Sequence, residues 1–231
     1  MAMDLIKSYQ FFKPEMLKGE VCHIIGCGSV GSTVAELLAR FGIEKFVLYD
    51  FDKVESRNIV NQMFFADDVG RPKVEAVRDL ILKINPGIEK SIRICPDGYT
   101  GRNPLTGYVF LAVDNIDLRR EIVRKNRYNT MIKGVFDFRT GLTDAQHFAA
   151  RWDSDISKEN LLSSMDFTHE EASATNETSA CGVALSVAPT VRMICNLGVA
   201  NFINFVKDDK LMDTIICDAW GFNITALEEL K

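Results

Sequence analysis

Three glycines spaced as Gly26-x-Gly28-x-x-Gly31 follow the apolar run Val21 to Ile25 and lead into Ser32 to Ala39, where apolar residues recur at helical spacing. A strand, a glycine-rich turn and a helix in that order can cradle a phosphate. The glycines allow a tight turn and close backbone approach, and the helix N-terminus supplies N–H groups and a positive dipole. Ser29 falls where the turn would meet the phosphates. Asp50 comes roughly twenty residues later, at the end of the next apolar run, where an acid can bond a ribose hydroxyl. To this point an ordinary dinucleotide site would do. The following residues ask for more: Asp52, Arg57, Asn58, Asn61 and Gln62, then Gly70-Arg71-Pro72-Lys73, make a dense polar cluster just past the acid. A second acid with Arg, Asn and Lys is surplus for a nicotinamide dinucleotide and suits a triphosphate with a metal ion. Asp114-Asn115, at the tip of a later apolar run, reaches the same carboxyl-end crevice.

The elements that must carry these residues alternate. Strands are expected over 21–25, 45–49, 88–95, 108–113 and 131–136, with helices over 32–41, 73–83 and 118–128 between them, after a helical lead-in at 4–19. Such alternation predicts an α/β fold, a doubly wound, Rossmann-like, mostly parallel sheet with an antiparallel C-terminal extension. Residues 146–152 pair beside the strand at 131–136, an apolar helical stretch covers 183–206, and a last strand covers 213–218 or longer. No linker divides the 231 residues, so 1–231 reads as one domain. The polar stretch 153–180 reads as a mobile crossover with at most one short helix. On the helix at 118–128, Arg119, Arg120, Arg124, Lys125 and Arg127 are expected on exposed faces.

Composition narrows the classes. With 47% hydrophobic and 26% charged residues the chain is an ordinary globular protein, and a net charge of -5 argues against nucleic acid and anionic membranes as partners. The stretch 182–206 is interrupted by Pro189, Arg192, Asn196, Asn201 and Asn204, which favours a buried or interface helix over a membrane span. Six scattered cysteines without a C-x-x-C pair, and no signal peptide, point to the cytoplasm, free thiols and no zinc.

The ordered set G-x-G-x-x-G, D-x-D-x-V-x-x-x-N-x-x-x-Q, G-x-P-K and D-N resembles the ThiF/MoeB/HesA group of adenylyltransferases, related to the activating enzymes of ubiquitin-like proteins. The resemblance implies ATP- and Mg²⁺-dependent adenylation of the C-terminal carboxylate of a ubiquitin-like or sulfur-carrier-like protein ending in Gly, by a homodimer. Carried over by matching position, Gly26, Gly28, Ser29 and Gly31 hold phosphates and Asp50 the ribose. Asn58 and Gln62 fall in the phosphate-contacting segment, Lys73 neutralises phosphate charge, and Asp114 is the magnesium residue. Asp52, Arg57, Asn61 and Asn115 are further cofactor-binding candidates from the polar cluster and the strand tip, with Arg57 placed to supply the charge that Asn61 lacks. Three departures mark a divergent branch: Asn61 stands where the group has arginine, residues 1–20 contain lysines but no arginine, and the zinc cysteines are absent.

Cys181, between the polar stretch and the apolar helix, lies close to where some relatives carry a thioester cysteine. It is either a nucleophile or a spectator thiol. Cys22, Cys27 and His23 read as core residues. His147 and His169 lack companions at metal spacing, and Asp137 with Arg139 forms an ion pair or lines the crevice. A nicotinamide-dependent Rossmann oxidoreductase and a catalytically impaired nucleotide-binding scaffold are the competing classes.

Overall fold

The computed structural model describes residues 3–175, 177–178 and 185–228; Cys181 lies outside the described residues. Among these, one eight-stranded sheet has the order β3-β2-β1-β4-β5-β6-β7-β8. The parallel part comprises β1 Cys22–Ile25, β2 Phe46–Tyr49, β3 Ile92–Cys95, β4 Gly107–Leu111 and β5 Ile132–Thr140. The antiparallel part continues through β6 Asp144–Arg151, β7 Thr214–Asp218 and β8 Asn223–Leu227.

Both faces of the central strands are covered, as continuous apolar runs require. Side chains alternate across the sheet. Cys22, Ile24, Phe46, Leu48, Phe110, Phe136 and Phe138 therefore face α1 Ser29–Arg40, α2 Lys73–Ile84 and α6 Ala188–Asp208. Ile25, Val47, Tyr49, Val109, Leu111 and Val135 face α3 Ile116–Asn126 and α4 Asp155–Ser163. No helix among the described residues is long and apolar enough to cross a membrane.

Four expectations are corrected. The strand expected over 88–95 starts only at Ile92: Pro86, with its φ preset for a helical turn, opens a 3-10 helix Pro86–Ser91. Residues 153–175 hold two helices, α4 and α5 His169–Thr175, each with a cap. Ser154 Oγ accepts the Ser157 N–H at 3.1 Å, while Thr168 and Glu171 form a reciprocal box, with bonds of 3.1 and 2.7 Å. The last strand, expected over 213–218 or longer, is two: β7 ends at Asp218, whose side chain turns the chain into the antiparallel β8 by accepting the N–H groups of Trp220 and Gly221. Arg119 and Arg120 do not sit on an exposed face: Arg119 is buried, and Arg120 donates to the carbonyls of Met165 and Phe167.

Candidate active site

The carboxyl ends of β1, β2, β3 and β4 open into a cleft of about 370 Å³, lined by the glycine turn, Asp50–Asp52, Gln62, Lys73, Asp97–Tyr99 and Val113–Asp114. Each glycine has its own task. Gly26 has φ +95°, and a Cβ there would come within 2.7 Å of the Ala112–Val113 backbone. A Cβ on Gly31 would sit 1.8 Å from the Gly26 carbonyl oxygen, so Gly31 brings α1 down onto the turn. Gly28 lines the cleft, and a Cβ there would meet nothing within 4 Å. Gly28 is also the N-cap of α1 without a side-chain cap, and the first turn contains no acid. The leading N–H groups and the dipole of α1 therefore lack an anionic partner from their own turn.

Asp50 ties this turn to the next loop, accepting the Cys27 N–H at 2.7 Å and the Asp52 N–H at 2.8 Å. Burial raises its pKa, against those hydrogen bonds and the nearby Lys73 ammonium, which lower it. Lys73 is delivered by a short antiparallel strap. Val54 N–H donates to Arg71 O, Gly70 N–H to Val54 O, and Lys73 N–H to Asp52 O, with Lys53 and Pro72 bridged. That strap is why D-x-D-x-V and G-x-P-K, far apart in sequence, meet. The Lys73 side chain is only 10% exposed, and its Nζ lies 2.8 Å from Asp52 Oδ2. Ser32 holds the neighbouring loop by accepting the Met63 N–H at 3.1 Å. Gln62 thus reaches the cleft, and among the described residues its buried Oε1 has no hydrogen-bond partner.

Gly26, Gly28, Ser29, Asp50, Asp52, Gln62, Lys73 and Asp114 share the cleft lining. Gly31, Arg57, Asn58, Asn61 and Asn115 do not. Arg57 is exposed and pairs with Glu55 at 2.6 Å, and Asn58 Oδ1 accepts the Glu55 N–H. Asn61 Nδ2 donates to Ser186 O at 3.4 Å. Asn115 Oδ1 caps α3 by accepting the Leu118 N–H. The sequence reading missed an apolar wall. Phe51, 76% exposed, packs beside Gly98; Tyr99 meets Tyr49 edge-on, with ring centroids 5.6 Å apart. Tyr49 is held by His23, whose Nδ1 lies 3.0 Å from the Tyr49 hydroxyl while its Nε2 accepts the Thr106 N–H. The clue was positional: Asp97–Tyr99 directly follow β3, whose end belongs to the same crevice.

Asp114 also lines a second cavity, of about 430 Å³, with Ile116, Arg119, Arg139, Thr140, Gly141, Asp144 and Gln146. Asp114 is the residue that the two linings share. A triphosphate fits the first: an apolar wall for a base, open N–H groups at the α1 terminus, one ammonium, and an amide oxygen without a donor. Among the described residues no group of three or more His, Cys, Asp or Glu could hold a metal ion by itself. Magnesium is commonly held by one or two carboxylates together with substrate phosphates, so exposed Asp114 suits that ion.

The ubiquitin-like modifier-activating enzyme 5 of Caenorhabditis elegans is 40% identical over 87 residues, 38% of this chain and 20% of that protein. The Caenorhabditis briggsae enzyme is 37% identical over 87 residues, covering 38% and 19%. The matched stretch thus spans about a fifth of these relatives. Among solved structures, PaaA superposes with TM-score 0.73 at 20% identity, over 99% of this chain and 69% of that one. Escherichia coli MccB with ATP gives 0.69 at 19%, over 93% and 64%. At such identities the likeness is one of fold. The ThiF family model, however, matches residues 14–229, a span that takes in the glycine turn, the strap and the Asp114 turn, and the chain belongs to the ThiF family.

Proposed function

We propose that this chain is an ATP-dependent adenylyltransferase acting on the C-terminal carboxylate of a small protein. One observation carries the reading: Asp114 lines both the cleft of the glycine turn and Lys73 and a second cavity of about 430 Å³, which we take to admit a peptide end. A carboxylate oxygen entering there attacks the α-phosphorus; the bond to the β-phosphate oxygen breaks, and pyrophosphate leaves with its electron pair. The attacking carboxylate is already ionised, so the residues need only position and neutralise. Gly28 and the α1 N–H groups hold phosphate oxygens, Lys73 turns from Asp52 to the phosphates, and Asp50 holds the ribose. Asp114 would hold a magnesium ion, which offsets the charge gathering on the phosphates.

The relatives named as ubiquitin-like modifier-activating enzymes, and a crystal structure of MccB with AMPCPP and MccA, support a small protein or peptide as acyl donor. We take that donor to be a ubiquitin-like or sulfur-carrier-like protein ending in Gly. Residues 1–231 then act as one adenylation domain of a cytoplasmic homodimer, with Cys181 receiving the acyl group as a thioester. Exposed Trp220, Phe222, Ile224 and Leu227 around β8 support a protein contact. The test is ATP–pyrophosphate exchange with Gly-ending carriers. Lys73→Ala and Asp114→Ala should each lower exchange by about 100-fold or more. Exchange that survives both changes sinks the site assignment, and ATP binding without exchange leaves a nucleotide-binding scaffold. On non-reducing gels of the same reactions, a thiol-sensitive conjugate should vanish in Cys181→Ala, and light scattering should give the mass of two chains. A persisting conjugate or a one-chain mass removes the corresponding element.

A further inference from the structure

Asp114 is exposed, and among the described residues its carboxylate makes no hydrogen bond or ion pair. Its placement depends on its backbone. Arg119 grips that backbone: Nε donates to the Val113 carbonyl at 2.7 Å, and Nη2 donates to the same oxygen. Nη1 donates to Asp137 and to the Phe138 carbonyl. Asp137, fully buried on β5, has its other oxygen 2.7 Å from Arg139 Nε. Arg139 continues to the carbonyl and hydroxyl of Ser164, at 2.6 and 2.8 Å. One carboxylate thus links the turn that carries Asp114 to the end of α4, and both arginines line the second cavity.

Replacing a buried ion cluster by apolar packing is often neutral or stabilising, so stability is a weak account of this one. Its geometry has a clearer use. We propose that Arg119 is a positioning residue for Asp114, with Asp137 holding the guanidinium edge-on to the Val113 carbonyl. The backbone from which Asp114 reaches a magnesium ion is thereby fixed before nucleotide arrives. This rests on the reading of Asp114 as the metal residue. Through Arg139 the same carboxylate ties the metal side of the cleft to the cavity for the acyl donor.

Arg119→Lys tests the grip, because lysine keeps the charge beside Asp137 but lacks two parallel N–H groups for one carbonyl. Calorimetric titration with a non-hydrolysable ATP analogue, with magnesium and with EDTA, gives the metal-dependent gain in affinity; hydrogen exchange over 112–118 reports the turn without nucleotide. Partners that orient a metal ligand are worth about 10- to 100-fold, so the gain should fall by that factor while affinity in EDTA stays within about twofold. Exchange over 112–118 should quicken before nucleotide is added. Should the variant lose its cooperative melt, Asp137→Asn, which replaces the charge-assisted bond to Arg119 by a weaker neutral one, should move both readouts the same way. A full metal-dependent gain in the variant, or unchanged exchange, overturns the positioning role. No such gain in the wild type overturns the metal reading of Asp114, and the positioning role with it, and that result is distinct from the first two.

Discussion

Gly28 and Gly31 stand in one turn and ask opposite things of a methyl group. At Gly31 a Cβ would overlap the Gly26 carbonyl at 1.8 Å, so Gly31→Ala should cost about 2–3 kcal/mol or more, read as a lower urea midpoint. At Gly28, with φ -78° and open space around the Cβ position, Gly28→Ala should change stability by less than about 0.5 kcal/mol. It should instead weaken binding of an ATP analogue by about tenfold, the scale of one lost hydrogen bond, in the same calorimetric titration. Equal stability losses in the two variants would remove the distinction. The cleft residues legible in the sequence are those whose place follows from chain direction: Asp50 and Asp114 come at strand ends, and parallel strands end on one edge. Arg57, Asn58 and Asn115 were harder, because their partners lie within three residues. Asn side chains readily take nearby backbone N–H groups, and here they cap turns. Phe51 and Tyr99 carry no motif; only the fold brings them to the wall.

At the scale of elements, continuous apolar runs located β1, β2 and β4, because a strand covered on both faces has no choice but to be continuously apolar, whereas the edge strand β3, with Arg93 exposed, starts four residues later than its alternation suggested. Polar segments misled. The stretch 153–175 is poor in bulky apolar residues, yet Ser154 and the Thr168-x-x-Glu171 pair are capping signals that were available to be read. A few anchors such as Leu161 and Met165 fasten α4 and the residues after it to the sheet. Ser154→Ala should therefore cost about 1 kcal/mol by urea denaturation, and Ser154→Asp should cost much less. A loss equal for both would mean that the cap does not matter. The strap joining 52–54 to 70–73 could not be read from sequence at all: its bonds are backbone to backbone, and either segment alone looks like a loop.

For the whole molecule, two buried imidazoles set a pH limit. Burial lowers His23 and His147 from 6.5 to about 4, with Arg93 adding to the effect at His23. His147 donates from Nδ1 to the Asp137 carbonyl, and Nε2 accepts from Asn201. The unfolded chain takes up protons first, so this stability is complete above about pH 6.5 and is lost as pH falls towards 4. A shift of that size is worth roughly 3 kcal/mol per imidazole when fully expressed. Urea midpoints should fall between about pH 7.5 and pH 5, and His147→Gln should remove about half of the fall. An undiminished fall in that variant would place the effect elsewhere.

The reversal of direction between β5 and β6 has a further result. In a wholly parallel sheet the crevice is walled only by strand ends, but here Asp144 and Gln146, at the start of a strand, face Thr140 across the second cavity. The connection at 141–143 is bonded elsewhere, Leu142 O accepting from Thr190 Oγ1 at the start of α6 and Thr143 O from the Ala219 N–H, and among the described residues it makes no hydrogen bond to the glycine turn, the strap or Lys73. The lining of the first cleft and the hairpin side of the second cavity thus lie on separate stretches of chain, with Asp114 common to both spaces. A change in the β5–β6 hairpin therefore alters the second cavity through residues that line no part of the first.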